Sequence, residues 1–385
     1  MNMPVADANR VLRIARPLDG LPVAGDFVIE PLATPKIADR EMLVRTIYIS
    51  IAPGVRPLLP YRGEAPNVAQ GAGAGRIGGA DDDVPNPVRI NIGERMRSGI
   101  VPSMSKFAGG TVGEVLQSRH PDFAPGDFVF GGRYCQLYEA VNGDASIKLD
   151  PSELPIEANL GLLGRSAFTG WCGYRRVASP KPGETIAVSS AAGAVGMMVV
   201  QLARREGLDV IGIASGADKC DFVTQELGAR ACIDRKAEDV GAALDRLAPS
   251  GADIYFDNAG GLLQRPVFDR LKPFGRLVVC GMAAEYGGTE QSTLPTGTIL
   301  GKRLRIEGFV VLDYEDDYPA FREEVVRLWR EGALAYRQQI YHGLEAVPQA
   351  LADCLSGQSA GGKLLVQVSP DRSEGSHAVR SSEEP

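Results

Sequence analysis

The feature that most constrains the fold is a strand, a glycine turn, a helix and a second strand over residues 185–219, TIAVSSAAGAVGMMVVQLARREGLDVIGIASGADK. A β-branched run ends at SSAAGAVG, a long periodic stretch without proline follows, and a second apolar run ends in a serine. Two parallel strands need a helical crossover of this kind. The segment therefore predicts one strand–helix–strand unit of a parallel sheet.

The turn inside this unit has the pattern G-x-G-x-x-G with alanine in the first place. Small residues there let backbone N–H groups approach a pyrophosphate, and the helix N-terminus faces its negative charge. In a chain with 46 glycines the hexamer alone is weak, but the flanking strand and helix supply the context that the motif requires. The predicted pyrophosphate contacts are Ala192, Gly193, Ala194, Val195 and Gly196.

The ends of the next two strands indicate which dinucleotide binds. An NAD site places Asp or Glu near the end of the second strand to hold the ribose 2′-hydroxyl. Here that strand ends in Ser215, Lys219 follows one turn later, and Arg235 and Lys236 follow the third strand. Cations and small donors suit a 2′-phosphate, so we predict NADPH, held by Ser215, Lys219 and Arg235. The alternative for Lys219 is an ordinary exposed helix cation.

Apolar strands and helix-length segments continue to alternate up to about residue 310, which predicts a doubly wound parallel sheet. Before residue 150, short alternating runs separated by Gly and Pro predict a β-rich domain. We predict an α/β chain with a β-rich domain at 1–151, containing a loop insertion at 62–95, and a cofactor domain at 152–310. The chain then returns to the first domain at 311–368 and ends in a disordered tail at 369–385.

Composition argues against several classes of protein. The formal net charge of −7 disfavours nucleic acid or an anionic membrane as the main partner. No apolar run approaches the ~20 residues that a membrane span needs. The six cysteines form no CxxC pair, and the three histidines do not cluster with cysteine or glutamate, so we predict no metal and a cytoplasmic setting.

Six ordered stretches carry a resemblance to a known family: SSAAGAVG, SGADK, YFDNAGG, FGRLVVCGMAAEY, RIEGFVV and GGKLLVQV. The chain resembles the zinc-free medium-chain dehydrogenase/reductase superfamily, and within it the prostaglandin reductase, leukotriene B4 12-hydroxydehydrogenase and plant double-bond reductase group. The resemblance implies a GroES-like β domain, a Rossmann domain that binds NADPH, and a homodimer. It also implies an oxidoreductase that reduces the carbon–carbon double bond of an α,β-unsaturated ketone or aldehyde.

The resemblance also assigns site residues by matching position. Tyr286 would assist at the enolate oxygen or supply a proton, which makes it the catalytic candidate. The nicotinamide would lie against Asn258, Cys280, Gly281, Phe309, Val310 and Val311. This chain keeps Pro53 and Arg56 of the family's cleft motif, but Gly54 stands where the family has a tyrosine. Tyr48 and Tyr134 are further candidates for the cleft wall. Near the end, Ala360 replaces an asparagine that is common in the family.

Three hypotheses about function remain open at this point. The first is the NADPH-dependent ene-reductase. The second keeps the cofactor and changes the acceptor to a quinone, an imine or a carbonyl group of a specialised pathway. The third is a protein that binds NADPH without turnover. The sequence identifies neither the physiological substrate nor the stereochemistry of hydride delivery.

Overall fold

The computed structural model describes residues 8–59, 101, 110–285 and 292–373. The chain divides into two compact units. The first comprises Met1–Gly161, Ile340–Gln358 and Leu364–Pro385, and the second comprises Leu162–Gln339 and Ser359–Lys363.

Regular elements follow one another along the described residues. The strands are β1 (Ala8–Ile14), β2 (Phe27–Ala33), β3 (Glu41–Ile51), β4 (Thr111–Ser118), β5 (Phe128–Gly132), β6 (Tyr138–Asn142), β7 (Ile147–Leu149), β8 (Thr185–Ser189), β9 (Asp209–Ala214), β10 (Ala231–Asp234), β11 (Ala252–Asp257), β12 (Leu271–Val279), β13 (Arg305–Gly308), β14 (Gln338–His342) and β15 (Lys363–Gln367). The α-helices are α1 (Arg165–Cys172), α2 (Ala194–Arg205), α3 (Ala217–Asp221), α4 (Val240–Leu247), α5 (Gln264–Phe268), α6 (Thr296–Lys302), α7 (Tyr318–Arg330) and α8 (Val347–Ser356). Two π-helical turns, Gly173–Ala178 and Phe222–Glu226, continue α1 and α3.

The first unit is built on a β-sheet with the strand order β14, β15, β3, β4, β5 and β7. Strand β3 is its centre, because it pairs antiparallel with β4 on one side and with β6 and β15 on the other. All positions of β3 but the first are buried, as expected for a strand with neighbours on both edges and cover on both faces. This sheet is the GroES-like β domain that the sequence predicts.

The second unit contains a six-stranded parallel sheet with the order β10, β9, β8, β11, β12 and β13. Counted along the chain within the unit, this is the order 3-2-1-4-5-6 of a Rossmann fold. Aliphatic side chains of the central strands form its core with residues of α4 and α5, such as Ile211, Ala243 and Phe268. The predicted α/β fold, a GroES-like domain with a Rossmann domain, is confirmed.

The chain leaves the first unit after Gly161 and returns at Ile340, later than the borders at 151 and 310 that the sequence predicts. Helix α7 accounts for the second difference. Its Phe321 is fully buried, with its ring centroid 5.1 Å from that of Phe168 in α1, so α7 packs within the second unit. The chain rejoins the first unit only at Ile340.

Some predicted features lie outside the described residues, namely the 62–95 insertion, Tyr286 and the tail beyond residue 373. The first residues of the predicted tail are described, and Arg45 Nη1 donates to Pro370 O at 3.1 Å. Among the described residues, no helix has the length and apolar character needed to cross a bilayer. No group of three or more His, Cys, Asp or Glu side chains in the described ranges is placed to hold a metal ion.

Candidate functional site

The glycine turn connects β8 to α2 at the carboxyl edge of the parallel sheet. Ser190 has φ of +50°, a strained conformation for a residue other than glycine. Its carbonyl oxygen accepts from Gly193 N at 2.9 Å, which closes the turn. The helical ladder then starts with Met197 N donating to Gly193 O at 2.8 Å. The N–H groups of the first three helix residues, Ala194 to Gly196, precede this ladder and make a site suited to a phosphate.

Close packing requires two glycines around this turn. A Cβ at Gly196 would lie 2.4 Å from Ser190 O and 2.7 Å from Ala191 Cα, so only glycine lets the helix approach the strand end. A Cβ at Gly170 of α1 would lie 2.7 Å from Val195 O, so α1 also packs tightly against the first turn of α2. The first turn of α2 is therefore fixed from two sides.

A cluster of cations lies at the ends of β9 and β10. Arg235 Nε donates to Ser215 Oγ at 2.6 Å, which brings two predicted 2′-phosphate contacts together. Lys219, on α3, is half-buried, and its pKa is lowered by burial and then by the charges of Lys236 and Arg235. Three cations that repel one another in this way form a site that favours an anion carrying more than one charge.

Asp234 holds the backbone around this cluster. Its Oδ1 accepts from Gly216 N at 2.8 Å and from Lys236 N at 3.0 Å. These two backbone hydrogen bonds lower the pKa of Asp234. The carboxylate therefore connects the turn after β9 to the turn after β10, and it positions the residues that carry the cations.

The turn after β11 is organised by the fully buried Asp257. Its Oδ1 accepts from Ser189 Oγ at 2.8 Å and from the backbone N–H groups of Ala259 and Gly260, at 2.9 and 3.1 Å. Its Oδ2 accepts from Gln264 Nε2 at 3.0 Å. A buried carboxylate needs this number of donors, and in return it fixes the ends of β8 and β11 relative to each other.

The predicted nicotinamide contacts Asn258, Cys280 and Gly281 meet at this same edge. Asn258 Nδ2 donates to Ser189 O at 2.8 Å, and Asn258 N donates to Ser189 Oγ at 2.8 Å. The N–H groups of Cys280 and Gly281 donate to Asp257 O at 2.9 and 3.0 Å. Burial raises the pKa of the Cys280 thiol well above its usual range, which disfavours the thiolate form that a nucleophile needs.

The three residues after β13 have different surroundings. The Phe309 ring covers the backbone of Gly173, since a Cβ there would lie 2.6 Å from Phe309 Cζ, and it packs edge-on against Tyr314. Val310 is 47% exposed, and Val311 begins the 3₁₀ segment Val311–Asp317. Phe309 is thus part of the packing behind the sheet edge, whereas Val310 faces outward.

The four predicted cleft residues lie in the first unit. Tyr48 is 3% exposed and belongs to a hydrophobic cluster with Ile47 and Val112. Pro53 begins the 3₁₀ turn Pro53–Leu58, and Arg56 of the same turn is buried. Tyr134 is half-buried in the loop between β5 and β6. The structure brings the cofactor candidates together within the second unit, and the four cleft candidates belong to a different unit.

The loop that carries Tyr134 is held by a buried carboxylate. Glu139 on β6 accepts from Arg133 N at 3.0 Å through both oxygens and from Tyr134 N at 3.2 Å. Burial raises the pKa of Glu139 from its usual 4.5 to about 7, against the opposing effect of these backbone donors. The carboxyl group therefore changes its charge near neutral pH.

This titration predicts a pH dependence of stability. Because the pKa of Glu139 is higher in the folded state, the folded chain keeps a proton that the unfolded chain releases between about pH 4.5 and 7. The contribution to the free energy of unfolding is present below about pH 4.5 and is lost as the pH rises to about 7, with an upper limit of ~3 kcal/mol. Urea unfolding midpoints at about pH 5 and about pH 8 should show a smaller difference for Glu139→Gln than for the unchanged protein. Equal differences in the two proteins would assign the pH dependence to other groups.

Sequence reasoning missed two parts of this site. The first is the bridge between Ser189 and Asp257, whose signal is a polar residue at the end of each of two otherwise apolar strands, in TIAVSS and DIYFDNAG. The second is the pair Gly361 and Gly362, which lies beside the pyrophosphate turn. Its signal is the double glycine before the last strand.

This chain is similar in sequence to several known proteins. The family model described as "Zinc-binding dehydrogenase" matches residues 194–327. The NADPH-dependent curcumin reductase of Escherichia coli (strain K12) is 33% identical over 375 residues, which cover 94% of this chain and 98% of the relative. The 2-alkenal reductase (NADP(+)-dependent) of Nicotiana tabacum is 37% identical over 268 residues, which cover 69% of this chain and 78% of the relative.

A solved structure agrees with these matches over the whole fold. The crystal structure of CurA in complex with NADPH from Vibrio vulnificus is 30% identical in sequence and has a TM-score of 0.76. The match covers 94% of this chain and all of the other. Together with the GroES-like and Rossmann sheets, these relatives show that the chain belongs to the zinc-independent medium-chain dehydrogenase/reductase superfamily.

Proposed function

We propose that this protein is an enzyme that uses NADPH to reduce the carbon–carbon double bond of an α,β-unsaturated ketone or aldehyde. The observation that carries the proposal is the cation cluster at the ends of β9 and β10, with the Ser215 hydroxyl beside it, which suits NADPH. The acceptor class is supported by the names of relatives at 33 and 37% identity, a curcumin reductase and a 2-alkenal reductase.

The residues present fit this cofactor. The first turn of α2 offers backbone N–H groups to a phosphate. Gly196 lets this turn lie close to the end of β8, because a Cβ there would overlap the strand end. The cation cluster supplies the charge that a 2′-phosphate needs and that a 2′-hydroxyl would not require. Asn258 follows β11, and Cys280 and Gly281 follow β12, at the sheet edge to which we assign the nicotinamide ring. When bound, NADPH supplies the hydride.

The chain's own contribution to the reaction is orientation and charge stabilisation. Reduction at the β-carbon builds negative charge on the carbonyl oxygen of the acceptor. A donor held at that oxygen stabilises this charge in the transition state more than in the ground state. We assign this role to the Tyr286 hydroxyl, whose alternative role is to supply the proton to the α-carbon. Tyr134 and Arg56 are the candidates for the wall of the substrate site.

The test is an acceptor panel with purified protein, following the loss of reduced-nicotinamide absorbance with NADPH and with NADH. We expect consumption of NADPH with enones and enals, and a product in which only the double bond is saturated. Turnover restricted to quinones, imines or saturated ketones would replace the proposed acceptor class with the alternative one. NADPH binding without turnover on any acceptor would favour a protein that binds the cofactor without catalysis.

We also propose that two copies associate through β13. Among the described residues β13 pairs only with β12, and Arg305, Glu307 and Gly308 are exposed along it. If two copies paired antiparallel about Ile306, each Arg305 would oppose Glu307 of the second copy. A two-fold interface needs such a self-complementary surface. The exposed Leu300, 79% accessible on the neighbouring α6, would add apolar area.

Charge reversal tests this interface. Glu307→Arg places like charges opposite one another and should weaken the dimer by about 10-fold or more. The double variant with Arg305→Glu added restores the complementary pairing and should recover the dimer. Sedimentation at several protein concentrations measures both effects. A monomeric unchanged protein, or a double variant as weak as the single one, would overturn the proposal.

The six cysteines support a reducing setting such as the cytoplasm. All six lie in the described residues, and none forms a disulfide there. We infer that the protein acts in the cytoplasm, where reduced nicotinamide cofactors are also present.

A further inference from the structure

A short segment near the chain end lies on the pyrophosphate turn. Residues Ser359–Lys363, called the strap below, belong to the second unit, although the chain on either side of them belongs to the first. Gly362 N donates to Ala192 O at 2.7 Å, and Gly193 and Gly362 form a parallel β-bridge. The strap therefore adds a backbone contact to the turn from a part of the chain distant in sequence.

This contact fixes one peptide group at both of its ends. The carbonyl of Ala192 accepts from Gly362, and the N–H of the same peptide, on Gly193, donates to Ser190 O at 2.9 Å. Since this N–H already has a partner, the N–H groups that can donate to the pyrophosphate are those of the first turn of α2. The orientation of the Ala192–Gly193 peptide decides where that helical turn begins.

The strap itself is anchored on its other side. Lys363 N donates to Arg337 O at 3.0 Å, and Ala360 N donates to Gln339 Oε1 at 3.0 Å. Gly361 and Gly362 have φ of +93° and +79°, values that residues with a side chain rarely adopt. A Cβ on Gly362 would also lie 2.3 Å from Arg337 O, so glycine is required there on two grounds.

The strap borders the cation cluster as well as the turn. A Cβ on Gly361 would lie 3.3 Å from Ala192 O and 3.8 Å from Lys219 Cγ. Its backbone thus runs between the groups assigned to the pyrophosphate and a residue assigned to the 2′-phosphate. Because Gly361 and Gly362 have no side chains, their contacts with the turn come from the backbone.

We propose that the strap is a positioning element of the cofactor site, in which the hydrogen bond from Gly362 to Ala192 holds the pyrophosphate turn in its binding conformation and thereby sets the affinity for the dinucleotide. The proposal rests on cofactor binding and is independent of the acceptor class. A failure of the acceptor panel would leave it standing, and a failure here would leave the proposed reaction standing.

Gly362→Ala tests the strap directly. Its Cβ cannot be accommodated against Arg337 O, so the bond to Ala192 should break. We expect the dissociation constants of both NADPH and NADH, measured by fluorescence titration, to rise about five- to ten-fold, the effect of losing one backbone hydrogen bond. NADH must be affected too, because the pyrophosphate is common to both. The KM for NADPH should rise together with its dissociation constant.

The matched control is Gly357→Ala. Gly357 has φ of +68° and nothing within 4 Å of its Cβ position, so this variant carries the same backbone strain without the contact. The melting temperature should fall in both variants, but the dissociation constants should rise only in Gly362→Ala. Unchanged dissociation constants in Gly362→Ala would show that the strap has a structural role only, and would overturn the proposal.

A second measurement covers the case in which Gly362→Ala does not fold. Hydrogen exchange of the unchanged protein should slow on addition of NADPH in peptides that contain residues 359–363, together with those that contain residues 191–197. Protection of the turn without protection of the strap would overturn the proposal.

Discussion

Lys219→Ala should raise the dissociation constant of NADPH by about 30- to 100-fold and leave that of NADH within about two-fold. A charge-assisted hydrogen bond to a phosphate is worth ~2–3 kcal/mol when the site is partly shielded from water. Burial, and then the charges of Lys236 and Arg235, lower the pKa of the half-buried Lys219, so a dianionic phosphate relieves repulsion that exists without it. Fluorescence titration with both dinucleotides measures the ratio.

The control is Lys181→Ala, which removes an exposed cation from the start of the segment leading into β8, at the opposite edge of the sheet. It changes the net charge of the unit equally and should leave both dissociation constants unchanged. An equal loss of affinity for NADPH and NADH in Lys219→Ala would show that Lys219 does not bind the 2′-phosphate. The preference for NADPH should also weaken as the pH rises through the lowered pKa of Lys219.

The sequence predicts the second unit well because its signals are local. Each apolar run in TIAVSS, DVIGIAS and DIYFDNAG becomes a strand, and the residue types at each strand end identify the cofactor edge. A parallel sheet places all its carboxyl ends at one edge, so residues far apart in sequence meet there without any further information. The contact between Ser215 and Arg235 is of this kind.

The parts that could not be predicted depend on contacts between distant segments with no periodic pattern. The strap is the clearest case, since the double glycine marks an unusual backbone but does not indicate that Gly362 pairs with Gly193. The buried Glu139 is another, because an acidic residue in a strand predicts an exposed position on average. Its burial is compensated by backbone donors in a loop, and those donors carry no residue-specific signal.

Tyr286→Phe should lower kcat and kcat/KM together by about 100-fold, with the NADPH dissociation constant unchanged. Removing one donor aimed at a developing oxyanion costs ~3 kcal/mol in the transition state and little in the ground state. The change deletes a single oxygen atom and keeps the ring, so cofactor binding in the second unit should not respond. Steady-state rates with an enone, together with a cofactor titration, separate the two effects.

Tyr341→Phe is the matched control for this last variant. The Tyr341 hydroxyl donates to Asp353 Oδ2 at 2.6 Å, so its loss removes a hydrogen bond of the first unit and should lower stability without changing kcat. If Tyr286→Phe kept full turnover, the oxyanion would need a donor from elsewhere, and Tyr134→Phe would be the next variant to measure. A loss of turnover in Tyr286→Phe with an equally large loss of NADPH affinity would instead place Tyr286 in the cofactor site, because an oxyanion donor has no reason to affect binding of the dinucleotide alone.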